Sequence, residues 1–333
     1  MRALITGISG FVGSHLAEYL LAHTDWQLSG TVYGKVDNIV HIQDRLKLYP
    51  AELSRLEVVR FIVEESRPDY IFHLAAQPIS WMSRQDPWFT LENNIRSQLN
   101  ILEAVVQIGL ESRVLVIGSG EEYGLVTEAD LPIDEDTPLR PANPYAVSKV
   151  AQDYLGLQYF LGNGVQTVRI RSFNHIGPRQ RQGFVAADFA AQIAEIEAGR
   201  RPPQMTVGAL DVARDFSDVR DVVRGYTLAI TQGKPGEVYN LGAGQAFTIR
   251  ALLETLIRYS GREIEVVQDP ARVRKVDIAS IVADYSKLRA CTGWRPEIAF
   301  EQSLHDVLDY WREQVRTGAG DPTPLGLRIQ RNE

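Results

Sequence analysis

Tyr145 and Lys149, in the stretch Tyr145-Ala-Val-Ser-Lys149, could move a proton together, and Thr6-Gly7-Ile8-Ser9-Gly10-Phe11-Val12-Gly13 could cradle a dinucleotide. Residues four apart on a helix share a face, so the ammonium lies beside the phenol and stabilises its phenolate. An unperturbed tyrosine titrates near ~10, and a neighbouring cation brings it towards a range useful for acid–base work at neutral pH. Tyr and Lys at this spacing also occur on amphipathic helices that do no chemistry. The glycine motif gives the pair a partner. It follows the short apolar run Arg2-Ala3-Leu4-Ile5 and precedes Ser14-His15-Leu16-Ala17-Glu18-Tyr19-Leu20-Leu21, which has helical patterning. Strand, glycine turn and helix is the order a pyrophosphate needs: glycines allow close backbone approach and the helix start offers free N–H groups. A glycine-rich turn that holds nothing is the plain alternative.

The elements that must position these groups alternate. Strands are predicted over Ala3–Thr6, Gln27–Val32, Tyr70–Leu74, Val114–Ile117 and Gln166–Arg171, with amphipathic helices between, notably Phe89–Ile108 and Pro144–Phe160. Such alternation predicts an α/β fold, a doubly wound parallel sheet of Rossmann type with ligands at the C-terminal strand ends. His73-Leu74-Ala75-Ala76 and Gly118-Ser119-Gly120 would close two strands at that edge, their small residues admitting a cofactor. After Ile176 the pattern loosens into turns and shorter helices over Phe184–Ala198, Val219–Thr231 and Thr248–Tyr259. The expected division is a dinucleotide-binding domain over 1–176, with a strand and helix from about 212–245 returning to it, and a smaller α/β substrate subdomain over 177–320.

Composition agrees with a globular enzyme. The chain has 333 residues, enough for a large core, with 44% hydrophobic and 23% charged content. Its net charge of −7 argues against a general nucleic-acid binder, so an anionic ligand must be held by local arginines. Cys291 is the one cysteine, which excludes an internal disulfide and points to the cytoplasm. No apolar run approaches the ~20 residues that cross a bilayer, and the N-terminus reads as a core strand, so no membrane partner is expected. The six histidines lack metal-ligand spacing, and no metal is expected.

Together the glycine motif, Leu74-Ala75-Ala76, Asn93-Asn94, Gly118-Ser119, Tyr145 with Lys149, and Arg171-Ser172-Phe173-Asn174-His175-Ile176-Gly177-Pro178 resemble the extended short-chain dehydrogenase/reductase superfamily, in its order. Gly183-Phe184-Val185-Ala186-Ala187-Asp188-Phe189, Val207-Gly208-Ala209-Leu210, Arg214-Asp215-Phe216 and Thr292-Gly293-Trp294 are similar to the branch acting on GDP-deoxyhexoses, from about Arg2 to Tyr310. The resemblance implies NAD(P)H-dependent reduction of the C4 ketone of GDP-4-dehydro-6-deoxy-D-mannose to GDP-D-rhamnose. Tyr145 would protonate the sugar oxygen, Lys149 would lower the phenol's pKa and bind the nicotinamide ribose, and Ser119 would orient the ketone through its hydroxyl. Cofactor contacts would come from Gly7, Ser9, Gly10, Phe11, Val12, Gly13, Tyr33, Lys35, Glu52, Leu53, Leu74, Ala75, Ala76, Asn94, Tyr145, Lys149, Phe173 and Ile176. Substrate contacts would come from Ser119, Asn174, Phe184, Val185, Arg214, Arg274 and Asp277, with arginine forks on the diphosphate and Asp277 on ribose hydroxyls. The resemblance further implies a homodimer in which Phe89–Ile108 and Pro144–Phe160 pair with their copies as a four-helix bundle.

A GDP-mannose 4,6-dehydratase is the main alternative, with a C4 epimerase behind it. Related dehydratases carry an Asp or Ser between the Thr or Ser and the Glu before Tyr-Gly, to help the leaving hydroxyl. Here that position is Gly120, while Glu121 keeps the place of the base. Glu122 reads as a solvated loop carboxylate. A non-catalytic dinucleotide-binding regulator would keep the glycine turn without needing Ser119, Tyr145 and Lys149 together. For the cofactor, Thr31-Val32-Tyr33-Gly34-Lys35 has no carboxylate to repel a 2′-phosphate, and Lys35 could pair with one, so NADP(H) is preferred and NAD(H) possible. Where the superfamily usually has Asp-Leu after the third strand, this chain has Glu52-Leu53. Arg179 and Arg181 lie in a loop that could close over a ligand.

Overall fold

The computed structural model describes residues 1–269 and 280–318. In chain order its first part contains β1 (Arg2–Thr6), α1 (Phe11–His23), β2 (Gln27–Val32), β3 (Leu46–Pro50), α2 (Leu56–Ser66), β4 (Tyr70–His73), α3 (Ser80–Gln85), α4 (Pro87–Ile108), β5 (Arg113–Ile117), α5 (Pro144–Asn163) and β6 (Gln166–Ser172). The second part contains β7 (Asn174–Ile176), α6 (Val185–Glu197), β8 (Gln204–Val207), β9 (Ala213–Asp218), α7 (Val219–Gln232), β10 (Val238–Leu241), β11 (Ala246–Thr248), α8 (Ile249–Ser260), β12 (Glu265–Gln268), β13 (Ser280–Ile281), α9 (Ser286–Thr292) and α10 (Phe300–Thr317).

Seven strands form one sheet in the order β10-β6-β5-β4-β1-β2-β3. Every pairing in it is parallel, and helices cover both of its faces. The order reverses between β1 and β4, which opens a crevice beyond their carboxyl ends. β10 comes from late in the chain yet extends β6, and α7 packs on the same sheet. One face carries a core built from Ile5, Leu16, Leu20, Leu115, Val222 and Tyr226, the other from Leu4, Ile62, Ile71, Ile101 and Val114. A third core, with Phe189, Ile193, Leu252, Leu304 and Trp311, joins α6, α8 and α10 outside that sheet.

β3 escapes the apolar-run criterion because Leu46-Lys47-Leu48-Tyr49-Pro50 alternates and ends in proline, which an edge strand tolerates. The strands beyond Ile176 are short. β9 pairs with β7, β11 and β13, and β12 with β8. Among the described residues no helix is long and apolar enough to cross a membrane.

Candidate active site

The ends of β1, β2, β4, β5 and β6 border a cavity of about 1480 Å³. A site for one small ligand typically occupies ~300–1,000 Å³, so this space can hold a dinucleotide and a second nucleotide side by side. Of the residues expected to touch cofactor, Gly7, Ser9, Gly10, Phe11, Val12, Gly13, Tyr33, Lys35, Glu52, Leu53, Leu74, Ala75, Ala76, Tyr145, Lys149, Phe173 and Ile176 line it. The turn that opens α1 is tight: a Cβ on Gly13 would lie 2.3 Å from the Gly7 carbonyl oxygen, and Gly7 has φ +69° with Ala75 3.2 Å from its would-be Cβ. No side chain caps the start of α1, which leaves its first N–H groups for an anion. Behind the turn, the Ala75 N–H donates to Thr6 Oγ1 (3.1 Å), which also meets His73 Nδ1 (2.9 Å), locking β1 to β4. Asn38 Nδ2 donates to the Ser9 carbonyl at 3.0 Å. These backbone cradles fit a dinucleotide.

One expectation about this wall needs correction. Asn94 does not face the cavity. It is fully buried, accepts from the Gln77 N–H (2.7 Å) and donates to Ser148 Oγ (3.0 Å), tying α4 to α5, while Asn93 reaches the lining. Thr31 to Lys35 holds no carboxylate, as expected, and Asp37 lines the cavity two residues beyond Lys35.

Ser119, Tyr145 and Lys149 line the same cavity. Asn143 caps α5 by accepting from the Ala146 N–H (2.9 Å), and Pro144 starts the helix, so Tyr145 and Lys149 leave its first turns towards the sheet edge. Lys149 Nζ lies 5.9 Å from the Tyr145 ring centre and donates to the Ile117 carbonyl at 2.8 Å. Burial pushes the Lys149 ammonium down to about 8, opposed by the Glu122 carboxylate. Contrary to the expected lowering by Lys149, burial pushes the Tyr145 phenol above its ordinary value, as does Glu121, while Ser119 pulls the other way. Glu121 is aimed by two donors, Ser80 Oγ at 2.6 Å and Asn143 Nδ2 at 2.8 Å. Neither donor stands out in the sequence, because each is an ordinary polar residue until the fold brings it to Glu121.

Glu122 is the larger surprise. The expected solvated carboxylate is completely buried, accepting from the Ser119 N–H at 2.6 Å beneath the turn over 120–122. Arg171 lies beside it. Its Nε lies 3.5 Å from Glu122 Oε2, its Nη2 2.7 Å from Asp153 Oδ2, and Arg169 completes the group through Asp153 Oδ1 at 2.9 Å.

On the far wall Asn174, Phe184, Val185 and Arg214 line the cavity; Arg274 and Asp277 lie outside the described residues. Phe184 is the N-cap residue of α6, and Arg214 Nη1 donates to its own Ala213 carbonyl at 2.8 Å. Arg179 bridges the two walls. With φ +72° it reaches Glu18 (2.6 Å), His15 Nδ1 (2.8 Å) and the Asn38 carbonyl (3.2 Å). His15 is pushed down to about 4 by burial and by Arg179, so a neutral ring accepts from Arg179 and donates to the Pro178 carbonyl at 2.9 Å.

A family model described as GDP-mannose 4,6 dehydratase matches residues 4–307. A GDP-6-deoxy-D-mannose reductase of Pseudomonas aeruginosa is 40% identical over 95% of this chain and 98% of its own length. A GDP-mannose 4,6-dehydratase of Yersinia enterocolitica is 29% identical over 92% of each. Among solved structures, RMD from Pseudomonas aeruginosa complexed with NADPH superposes with a TM-score of 0.83 at 38% identity, covering 94% of this chain and 99% of that one. The UDP-glucose 4-epimerase of Thermotoga maritima superposes at 0.86 with 27% identity over 95% and 100%. Fold, glycine turn, the Tyr145–Lys149 pair and sequence relatives agree, and the chain belongs to the GDP-mannose 4,6 dehydratase family of extended short-chain dehydrogenase/reductases.

Proposed function

We propose that the protein reduces the C4 ketone of GDP-4-dehydro-6-deoxy-D-mannose to GDP-D-rhamnose with NADPH. The observation that carries this reading over dehydration is at Gly120, where a Cβ would already stand 3.1 Å from the Phe173 ring. No side chain that could assist a leaving hydroxyl fits there without moving that ring. The greater identity to the reductase, 40% against 29% for the Yersinia dehydratase, supports the same choice.

The cofactor, when bound, supplies the hydride that reaches C4. Tyr145 gives its proton to the developing C4 alkoxide, and its raised pKa keeps that proton available at neutral pH. Ser119 orients the ketone oxygen, and Lys149 holds the cofactor ribose and compensates the phenolate left behind. The glycine turn, Tyr33, Lys35, Glu52 and Leu53 bind the dinucleotide, with Lys35 on a 2′-phosphate. Asn174, Phe184, Val185 and Arg214 bind the nucleotide sugar, joined by Arg274 and Asp277. This divides the chain into a dinucleotide-binding part over 1–176 with 212–245, and a substrate part over 177–320.

Purified protein given the GDP-keto-sugar and NADPH is expected to consume one NADPH per sugar reduced, followed by nicotinamide absorbance and product analysis. Water loss from GDP-mannose without added reductant would instead establish the dehydratase, and binding without turnover the regulator.

We also propose a homodimer through α4 and α5. Val147, Tyr154 and Leu161 are exposed at seven-residue spacing along α5, and Trp88, Phe89 and Val106 are exposed on α4. An apolar stripe of this kind on paired helices calls for a partner. A cytoplasmic setting fits the single Cys291.

A further inference from the structure

We propose that Glu122 is a positioning residue for catalysis, holding the Ser119 backbone from beneath and keeping the protons of Tyr145 and Lys149 in place as the medium becomes alkaline. This rests on the reductase reading for its kinetic test, though the geometry does not depend on it.

The carboxyl group lies one residue layer behind the reacting centre. Oε1 accepts from the Ser119 N–H, and Oε2 is buried with no hydrogen-bond partner. Space for it is made by Gly118, whose Cβ would fall 2.3 Å from Oε1. The elements packed most closely on this turn are α5 and β6. From α5 it faces the Asp153 carboxylate and the Lys149 ammonium, and from β6 the Arg171 guanidinium. Asp153 already takes two hydrogen bonds from Arg171, so Glu122 receives only the longer 3.5 Å contact. An unpartnered buried oxygen favours a neutral carboxyl group. Burial, with Asp153 second, pushes Glu122 up to about 8 against Arg171, the Ser119 N–H and Lys149.

The sign follows from these neighbours. At neutral pH most Glu122 is protonated and exerts little field. As pH rises through its titration it becomes an anion beside Lys149 and Tyr145, and an anion raises both their pKa values. The acid form of the site therefore survives to higher pH than a neutral residue at 122 would allow, and the groups titrate as one coupled set.

The test is Glu122→Gln in the full chain, since the amide oxygen still accepts from the Ser119 N–H. The alkaline limb of kcat/KM for NADPH-dependent reduction is expected to move to lower pH by about one unit, with the NADPH Kd and melting temperature unchanged. A superimposable pH profile would overturn the proposal and leave a purely structural carboxyl. If the wild type reduces no keto-sugar, the reductase reading fails, and ultraviolet titration of the Tyr145 phenol, taken as the difference from Tyr145→Phe, gives the same comparison without sugar. Should Glu122→Gln not fold, the wild type alone decides: a protonated-carboxyl infrared band persisting above neutral pH supports the proposal, and its absence overturns it.

Discussion

At neutral pH Tyr145 keeps its proton, because burial and the adjacent Glu121 carboxylate both hold it, which suits the acid role proposed for it. Lys149 matters most after transfer, when a phenolate has to be stabilised in a place that disfavours charge. Replacing Tyr145 by Phe is expected to lower kcat by about a hundred- to ten-thousand-fold, while the NADPH Kd from fluorescence titration stays at the wild-type value. The Tyr145–Lys149 pair was legible because four-residue spacing is a local property that a helix converts directly into proximity. Glu122 was not legible. Its burial depends on Arg171 and Asp153, which reach it from another strand and another helix, and a carboxylate in a charged loop otherwise belongs in water. Asn94 misled for a related reason: helix phase decides which of two adjacent asparagines sees the cavity, and Asn93 has it.

Among the elements, β1, the glycine turn and α1 form the unit with least freedom. Gly13 brings α1 against the Gly7 carbonyl at a distance that no side chain can occupy. Gly13→Ala is therefore expected to cost about 3 kcal/mol of stability, seen as a lower melting temperature, and to weaken NADPH binding through displacement of the helix start. The same unit was the easiest to read, since an apolar run, glycines and a helical pattern follow one another without interruption. The central strands β4 and β5 were readable for the same reason, being buried and mainly apolar along their length. The segments around β8 and β11 to β13 were not. They are strands of two to four residues whose existence depends on partners elsewhere in the chain, so no local period announces them.

For the molecule as a whole, the walls of the cavity come from both parts of the chain. Arg179 joins those walls through Glu18 and Asn38, so the substrate-side loop and the cofactor-side helix are held together. The outward stripe on α5 predicts assembly. Tyr154→Glu with Leu161→Glu is expected to shift a dimer to a monomer in light scattering, with NADPH binding per chain unchanged because neither residue borders the cavity. Sequence alone reached the superfamily, whereas recognition of the guanine base has no local signature. The close approach of Gly118 to Glu122 reaches beyond this chain. A descendant that acquires even a methyl at 118 must first have given up or moved the acid at 122, so the order of change is fixed, with 122 free to vary before 118 can.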